Sequence, residues 1–278
     1  RPSERRSGHV APAPPPGRSL PVAPRRAESP MRVWVDFDGT LVDPNVAILL
    51  VEEFGRDGRA VAREVDDLLH RGVITLREAW EREVAVLPAD RLEEMVEFAC
   101  AHAPLRSGAP ELVALLDRHR IPTTVISGGV DFYIRPILER DRIRWPFLSD
   151  ALVRGPDGKL GVAHPHGHPT CRLCGICKAQ AVRPGPGRLE VFIGDGSTDR
   201  YAAEVADVVF ARGRLRAYCD RRGIAHRAFE DFRPVISWLE ATLQGTPVPP
   251  EERGRGLVDS PCPISRAVAA GTDDVAGS

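Results

Sequence analysis

The chain has 278 residues, 42% of them hydrophobic, and a formal net charge of −1. That length suits one medium domain or a core with a smaller partner, and the apolar share is enough for a real core. The near-neutral balance gives no support to a broad nucleic-acid or membrane-surface role, and no run of about 18 apolar residues exists to span a bilayer.

Residues 1–30 are rich in Pro, Arg and Ala and have no periodicity, so they read as a disordered leader. They lack the apolar stretch of a secretory signal. Met31 stands directly before the first strand pattern, so it is expected to be the true start, with the leader an over-extended reading frame. Residues 246–278 return to Pro, Gly, Ala and charge and read as a disordered tail.

Between the tails, short apolar runs alternate with helical patterns. Strands are predicted at Arg32–Val35, Pro122–Ile126, Leu189–Ile193 and Val208–Phe210, and helices at Pro110–Arg120 and Asp131–Arg140. This is the pattern of an α/β fold with a doubly wound, Rossmann-like parallel sheet. Residues 44–105 break it with four amphipathic helices, Ala47–Phe54, Ala60–His70, Leu76–Leu87 and Asp90–Ala101. Thr75 and Asp90 are candidate helix caps. The division that follows is a core of 31–43 and 106–245 with a helical cap, 44–105, inserted after the first strand. Trp80, Phe54 and Met95 of the cap are expected to pack, Glu52 and Glu53 to be exposed, and Asp131 and Arg135 to form a surface i,i+4 pair.

In open parallel sheets ligands sit beyond the carboxyl ends of the strands. The first strand ends in Asp36 and Asp38, the second in Ser127, Gly128 and Gly129, and the third in Gly194, Asp195, Gly196, Ser197, Thr198 and Asp199. Four carboxylates at one edge repel unless a cation lies among them, and few hard oxygen ligands suit Mg²⁺. Asp36, Asp38, Asp195 and Asp199 are therefore the candidate metal ligands. A carboxylate held there can attack phosphorus and form an aspartyl-phosphate. A second carboxylate two residues on can protonate the leaving group and then activate water. Ser127 and the N–H groups after it, Gly128 first, are placed to bind phosphoryl oxygens. The chain uses Arg almost wherever it carries positive charge; Lys159 and Lys178 are its two lysines. Lys178, before a short helical run and ahead of the third strand, is suited to act as a compact point charge on nucleophile and phosphate.

"DFDGT" (36–40), "ISGG" (126–129), Lys178 and "IGDGSTD" (193–199) together resemble, in order, the four motifs of the haloacid dehalogenase superfamily. The resemblance spans about 32–240. It implies Mg²⁺ and an aspartyl-phosphate intermediate, with Asp36 as nucleophile, Asp38 as acid/base, Asp195 as metal ligand and Asp199 as supporting carboxylate. An Asp at 38 is a mark of phosphatases and phosphomutases. The cap position is similar to the phosphoserine-phosphatase-like branch. "VISGGVDFYIRPIL", the cysteines before Lys178 and "FEDF" (229–232) resemble the MtnX-type methionine-salvage phosphatases, which act on an enol phosphate carrying a methylthio group. The implied partner is a small phosphorylated metabolite. Phosphoserine, phosphocholine and phosphoethanolamine are alternative substrates, and a phosphomutase is an alternative enzyme.

"HPHGHPTCRLCGICK" supports two readings. Cys171, Cys174, Cys177 and His168 have the spacing of a structural zinc site that fixes the loop carrying Lys178. Alternatively the loop holds reduced thiols packed against the core. A non-catalytic zinc-knuckle binding protein is the distant functional alternative. Clustered cysteines suit a metal site in a reducing compartment better than a disulfide framework, which points to the cytoplasm. Oligomeric state leaves no mark in the sequence.

Overall fold

The computed structural model describes residues 29–250 and 253–272. The leader up to residue 28, and with it the expectation about Met31 as the start, lies outside the described residues. At the centre is β1 (Met31–Val35), paired in parallel with β2 (Thr123–Val130) on one side and β5 (Leu189–Gly194) on the other. β3 (Phe147–Arg154) extends the sheet in parallel beyond β2, and β4 (Leu160–Ala163) closes that edge antiparallel to β3. β6 (Val208–Ala211) and β7 (Arg227–Ala228) extend the other side in parallel. The order is β4-β3-β2-β1-β5-β6-β7. The winding reverses between β1 and β5, so the loops that leave them diverge and open a crevice at their carboxyl ends.

Strand alternation sends apolar side chains to both faces, as a central parallel strand requires. Val33 and Val35 join one core with Leu112 of α5 (Ala109–Arg118), Ile137 of α6 (Asp131–Arg140) and Val235 of α10 (Arg233–Leu243). Trp34 and Phe192 join a second core with Val182 of α7 (Lys178–Val182), Ala202 of α8 (Arg200–Val205) and Leu215 of α9 (Gly213–Arg222). Each fully buried side chain of this size contributes about 1.5–3 kcal/mol, so both faces are tied to the sheet. The fold is the predicted doubly wound one. β3, β4 and β7 were not predicted: Ser149 and Asp150 interrupt the apolar run of β3, and β4 and β7 are short.

The four helices after β1 are α1 (Val46–Phe54), α2 (Gly58–His70), α3 (Leu76–Ala85) and α4 (Leu92–His102). Thr75 and Glu78 form a capping box that starts α3 as the sequence implies. Asp90 does not cap α4; it lies one residue too early, and Arg91 occupies that position without a side-chain cap bond. Phe54 packs edge-on against Phe98, Met95 is fully buried and Trp80 is partly buried, so all three pack. Glu52 and Glu53 are exposed. Several polar contacts help hold this layer over the carboxyl edge of the sheet. The Val46 N–H donates to Asp38, Asp66 pairs with Arg214 at the start of α9, and Glu81 meets His164 after β4.

Glu83 of α3 is 7% exposed. Burial, aided by the charge of Asp66, pushes its carboxyl from an ordinary value of 4.5 up to about 7. The folded chain therefore keeps a proton there that the unfolded chain has released, and stability falls as pH rises across that window. Glu83→Gln is expected to be neutral near pH 4.5 and to raise stability by about 2–3 kcal/mol above pH 7. Chemical denaturation of both proteins at pH 5 and pH 8 checks this; an equal difference at the two pH values contradicts it.

Two expectations are corrected here. The tail from 246 is not uniformly disordered: Pro263–Ala269 form α11, and Cys262 and Ile264 bury against Ala179, Tyr201 and Val205. Those two apolar side chains lie in a polar stretch whose composition hid them. Asp131 and Arg135 do not pair: Asp131 accepts the Leu152 N–H at 3.0 Å, and Arg135 lies over the Phe147 ring.

Candidate active site

β1 stops at Val35, and the Asp36 N–H still donates to Ile193 O at 2.9 Å, which fixes Asp36 at the β1/β5 crevice. Phe37 is fully buried and anchors the turn between the two acids. The backbone of this turn is braced by two arginines. Arg106 donates to Thr40 O at 2.9 Å and Gly39 O at 2.7 Å, and Arg212 donates to Gly39 O at 2.7 Å. Carbonyls turned inward at a tight loop need such donors.

Lys178, the first residue of α7, is 2% exposed and lies between two carboxylates. Its Nζ donates to Asp36 Oδ1 at 2.5 Å and to Asp199 Oδ1 at 2.6 Å. Burial alone would lower its pKa; the charges of Asp199 and Asp36 outweigh that and raise it, so the ammonium stays charged. Lys159, by contrast, pairs with Asp157 in solvent. Asp199 also accepts the N–H groups of Asp195 and Gly196 at 3.0 and 2.9 Å, which locks the loop after β5. Asp195 accepts the Thr40 hydroxyl at 2.9 Å.

Asp36, Asp195 and Asp199 offer oxygens within 4.8 Å of one another, the one such metal-sized group among the described residues. Burial, and then the charge of Asp199, pushes the Asp36 carboxyl up and the Asp195 carboxyl up to about 6. One lysine does not balance three acids, so the donor set fits a hard divalent cation. Asp38 is not part of this group, contrary to expectation. Its Oδ2 accepts the Tyr133 hydroxyl at 2.6 Å and the Ser127 hydroxyl at 3.3 Å, and its Oδ1 accepts the Val46 N–H at 2.9 Å. Three donors from β2, α6 and α1 hold the side chain away from the other acids. Burial nevertheless raises its pKa.

Ser127 is fully buried, and its Oγ accepts the Gly129 N–H at 2.9 Å. Gly128 lies against Thr198 from the loop after β5, so the second and fourth motifs do meet. Tyr133, Arg106 and Arg212 contact the site residues, and nothing in the sequence reading singled them out. Helical phase puts Tyr133 on the buried face of α6 with Ile134 and Ile137, and a buried phenol needs a partner. That signal was present; Arg106 and Arg212 carry none.

Gly129 is required by the same contact. A Cβ there would lie 1.8 Å from Tyr133 Oη and 2.7 Å from Asp38 Oδ2. Tyr133→Phe removes a hydrogen bond to a buried carboxylate and is expected to cost about 1.5–3 kcal/mol of stability. Gly129→Ala is expected to displace the ring and lower turnover at least as much as Tyr133→Phe does. Thermal melts and steady-state rates of the two variants check both statements.

The described residues give the zinc reading no support. Cys171, Cys174, Cys177 and His168 do not bring their ligand atoms together in a metal-sized group. His168 Nδ1 instead accepts the backbone N–H groups of Thr170 and Cys171. The three thiols are free and line a small cavity with Leu173, Tyr201 and Cys262. Burial pushes Cys177 up to about 11 and Cys174 higher still, as expected of thiols packed against the core.

An acidic crevice at the switch point of a doubly wound sheet, under a helical cap, defines a capped hydrolase of the α/β class. The family model for haloacid dehalogenase-like hydrolases matches residues 33–204. The 2-hydroxy-3-keto-5-methylthiopentenyl-1-phosphate phosphatase of Exiguobacterium sibiricum is 30% identical over 228 residues, 76% of this chain and 97% of that protein. The bifunctional enzyme MtnB/MtnX of Bacillus licheniformis is 32% identical over 215 residues, 75% of this chain; the chain spans 49% of that longer relative. Among solved structures, a phospho-aspartyl intermediate analogue of phosphoserine phosphatase aligns with TM-score 0.56 and 17% identity, covering 76% of this chain and 99% of that one. A phosphoserine phosphohydrolase-like protein from Francisella tularensis aligns with TM-score 0.58 and 20% identity, covering 75% and 99%; both show the fold. The chain belongs to the haloacid dehalogenase-like hydrolases, and within them it is a phosphoric monoester hydrolase.

Proposed function

We propose that the protein is a Mg²⁺-dependent phosphatase of 2-hydroxy-3-keto-5-methylthiopentenyl-1-phosphate, working through an aspartyl-phosphate on Asp36. The observation that carries the mechanism is Lys178 Nζ held at 2.5 Å from Asp36, with Asp38 two residues on and turned to a separate set of donors. The substrate rests on the relative of that name, which is 30% identical and matched over nearly its whole length. No helix of the described residues is long and apolar enough to cross a membrane. We infer a cytoplasmic location from the clustered, free cysteines, which suit a reducing compartment.

Asp36, Asp195 and Asp199 are the residues that would hold Mg²⁺. When bound, the cation offsets the charge of nucleophile and phosphate together. A carboxylate oxygen of Asp36 attacks phosphorus as the ester P–O bond breaks. The proton on Asp38 goes to the leaving oxygen, and the raised pKa of Asp38 keeps that proton available. Asp38, now a carboxylate, takes a proton from water, whose oxygen attacks the phosphorus of the aspartyl-phosphate. Breakage of that bond frees inorganic phosphate and restores Asp36. Ser127, the Gly128 N–H and Lys178 bind the phosphoryl oxygens through these steps. The helical layer above excludes bulk water and large substrates.

The test is phosphate release from a panel comprising the methylthio enol phosphate, phosphoserine, phosphocholine and phosphoethanolamine, with Mg²⁺ and with chelator. Release that needs Mg²⁺ and is most efficient on the enol phosphate is expected. A higher kcat/KM on another member overturns the substrate and leaves the phosphatase; no release from any member overturns both.

A further inference from the structure

Away from the acidic crevice, both carboxylate oxygens of Asp150 and Nδ1 of His164 are buried without a hydrogen bond. Asp150 is on β3 and His164 follows β4; their side chains are 0% and 4% exposed. They face each other, with Nδ1 3.0 Å from Oδ1. The other ring nitrogen of His164 lies 3.4 Å from Glu81 of α3, itself paired with Arg77 at 3.1 Å. Burial, partly offset by His164 and Arg77, pushes the Asp150 carboxyl up to about 6. A buried polar pair of this kind costs stability compared with apolar packing, so its presence asks for a reason.

The reason lies in what the pair touches. The three residues before Lys178 are Gly175, Ile176 and Cys177. Gly175 is pressed onto the pair: a Cβ there would lie 2.0 Å from Asp150 Oδ2 and 2.8 Å from His164 Nδ1. The Cys177 N–H donates to His166 O at 2.9 Å, and the Gly167 N–H donates to His164 O at 3.1 Å. Gly175 and Cys177, which lead into Lys178, are thus set by Asp150 and by the turn that begins at His164. Lys178 must reach two carboxylates at once, and an error of about 1 Å in its backbone would break one contact.

We propose that Asp150 and His164 are positioning residues for Lys178, a buried strut that fixes the loop from which the lysine enters the site. This rests on the reading of Lys178 as a phosphate-binding group. The test is the dissociation constant of inorganic phosphate, measured by titration calorimetry on the full chain with Mg²⁺, for wild type, Asp150→Asn, His164→Ala and Lys178→Met. Affinity per folded molecule does not change when a substitution merely lowers the folded fraction. Asp150→Asn and His164→Ala are each expected to weaken phosphate binding by about tenfold, in the direction of Lys178→Met, the usual scale for a lost supporting contact. Binding within twofold of wild type in a folded Asp150→Asn or His164→Ala protein overturns the proposal while Lys178→Met still shows its loss. Unchanged binding in Lys178→Met overturns the reading of Lys178 and the proposal with it. Should Asp150→Asn fail to fold, His164→Ala alone decides.

Discussion

Asp36→Asn is expected to abolish phosphate release, lowering kcat on the order of 10⁴-fold or more at saturating Mg²⁺. The size of the effect follows from the geometry. A carboxamide does not form an acyl phosphate, and no neighbouring acid is free to replace it. Asp38 is held by Tyr133, Ser127 and the Val46 N–H, and Asp199 is engaged by Lys178 and two backbone N–H groups. Asp195 accepts the Thr40 hydroxyl. The variant should also incorporate no labelled phosphate from substrate in acid-quenched samples, whereas wild type should. Residual activity within tenfold of wild type would mean that hydrolysis does not pass through Asp36.

Lys178→Met is expected to lower kcat/KM by about 10²–10³, the scale for removing a charge that stabilises the transition state. In chelator it should also destabilise the fold by about 3–5 kcal/mol, because Asp36 and Asp199 are left buried without their shared cation. Lys178→Arg should rescue neither quantity. One ammonium reaches two carboxylates at 2.5 and 2.6 Å from a fully enclosed position, and a planar guanidinium presents its donors along a fork of fixed shape. A chain that uses Arg almost everywhere else keeps Lys here for that reason. Denaturation in chelator and kinetics in Mg²⁺ separate the two effects; full activity in Lys178→Arg would show that charge alone suffices.

Most of the acidic crevice was legible because its acids follow short apolar strands directly, and parallel strands bring their carboxyl ends to one edge. The Thr75 cap was legible for the same kind of reason, since a cap lies directly before the helix it starts. Other elements were not. Asp38 lies two residues from Asp36, yet its partner is Tyr133, 95 positions away in sequence, and that hydroxyl turns it out of the metal-sized group. The cysteines before Lys178 have zinc-like spacing, but spacing does not fix where side chains point, and the loop folds with its thiols against Tyr201 and the Cys262 segment. That segment itself looked disordered because two buried apolar side chains count for little in a polar stretch.

The sequence by itself determined the four central strands of the sheet, the helical layer after the first of them and the edge at which the acids meet. These follow from periodicity and from residues adjacent along the chain, where local sterics and apolar burial act within one element. The tertiary structure decided which acids share the metal-sized group, that Asp38 faces Tyr133 instead, and how Lys178 is held. Those outcomes depend on contacts 142 positions apart, such as Lys178 with Asp36. A hydrogen bond or ion pair of that span exists only once packing has brought both partners out of water.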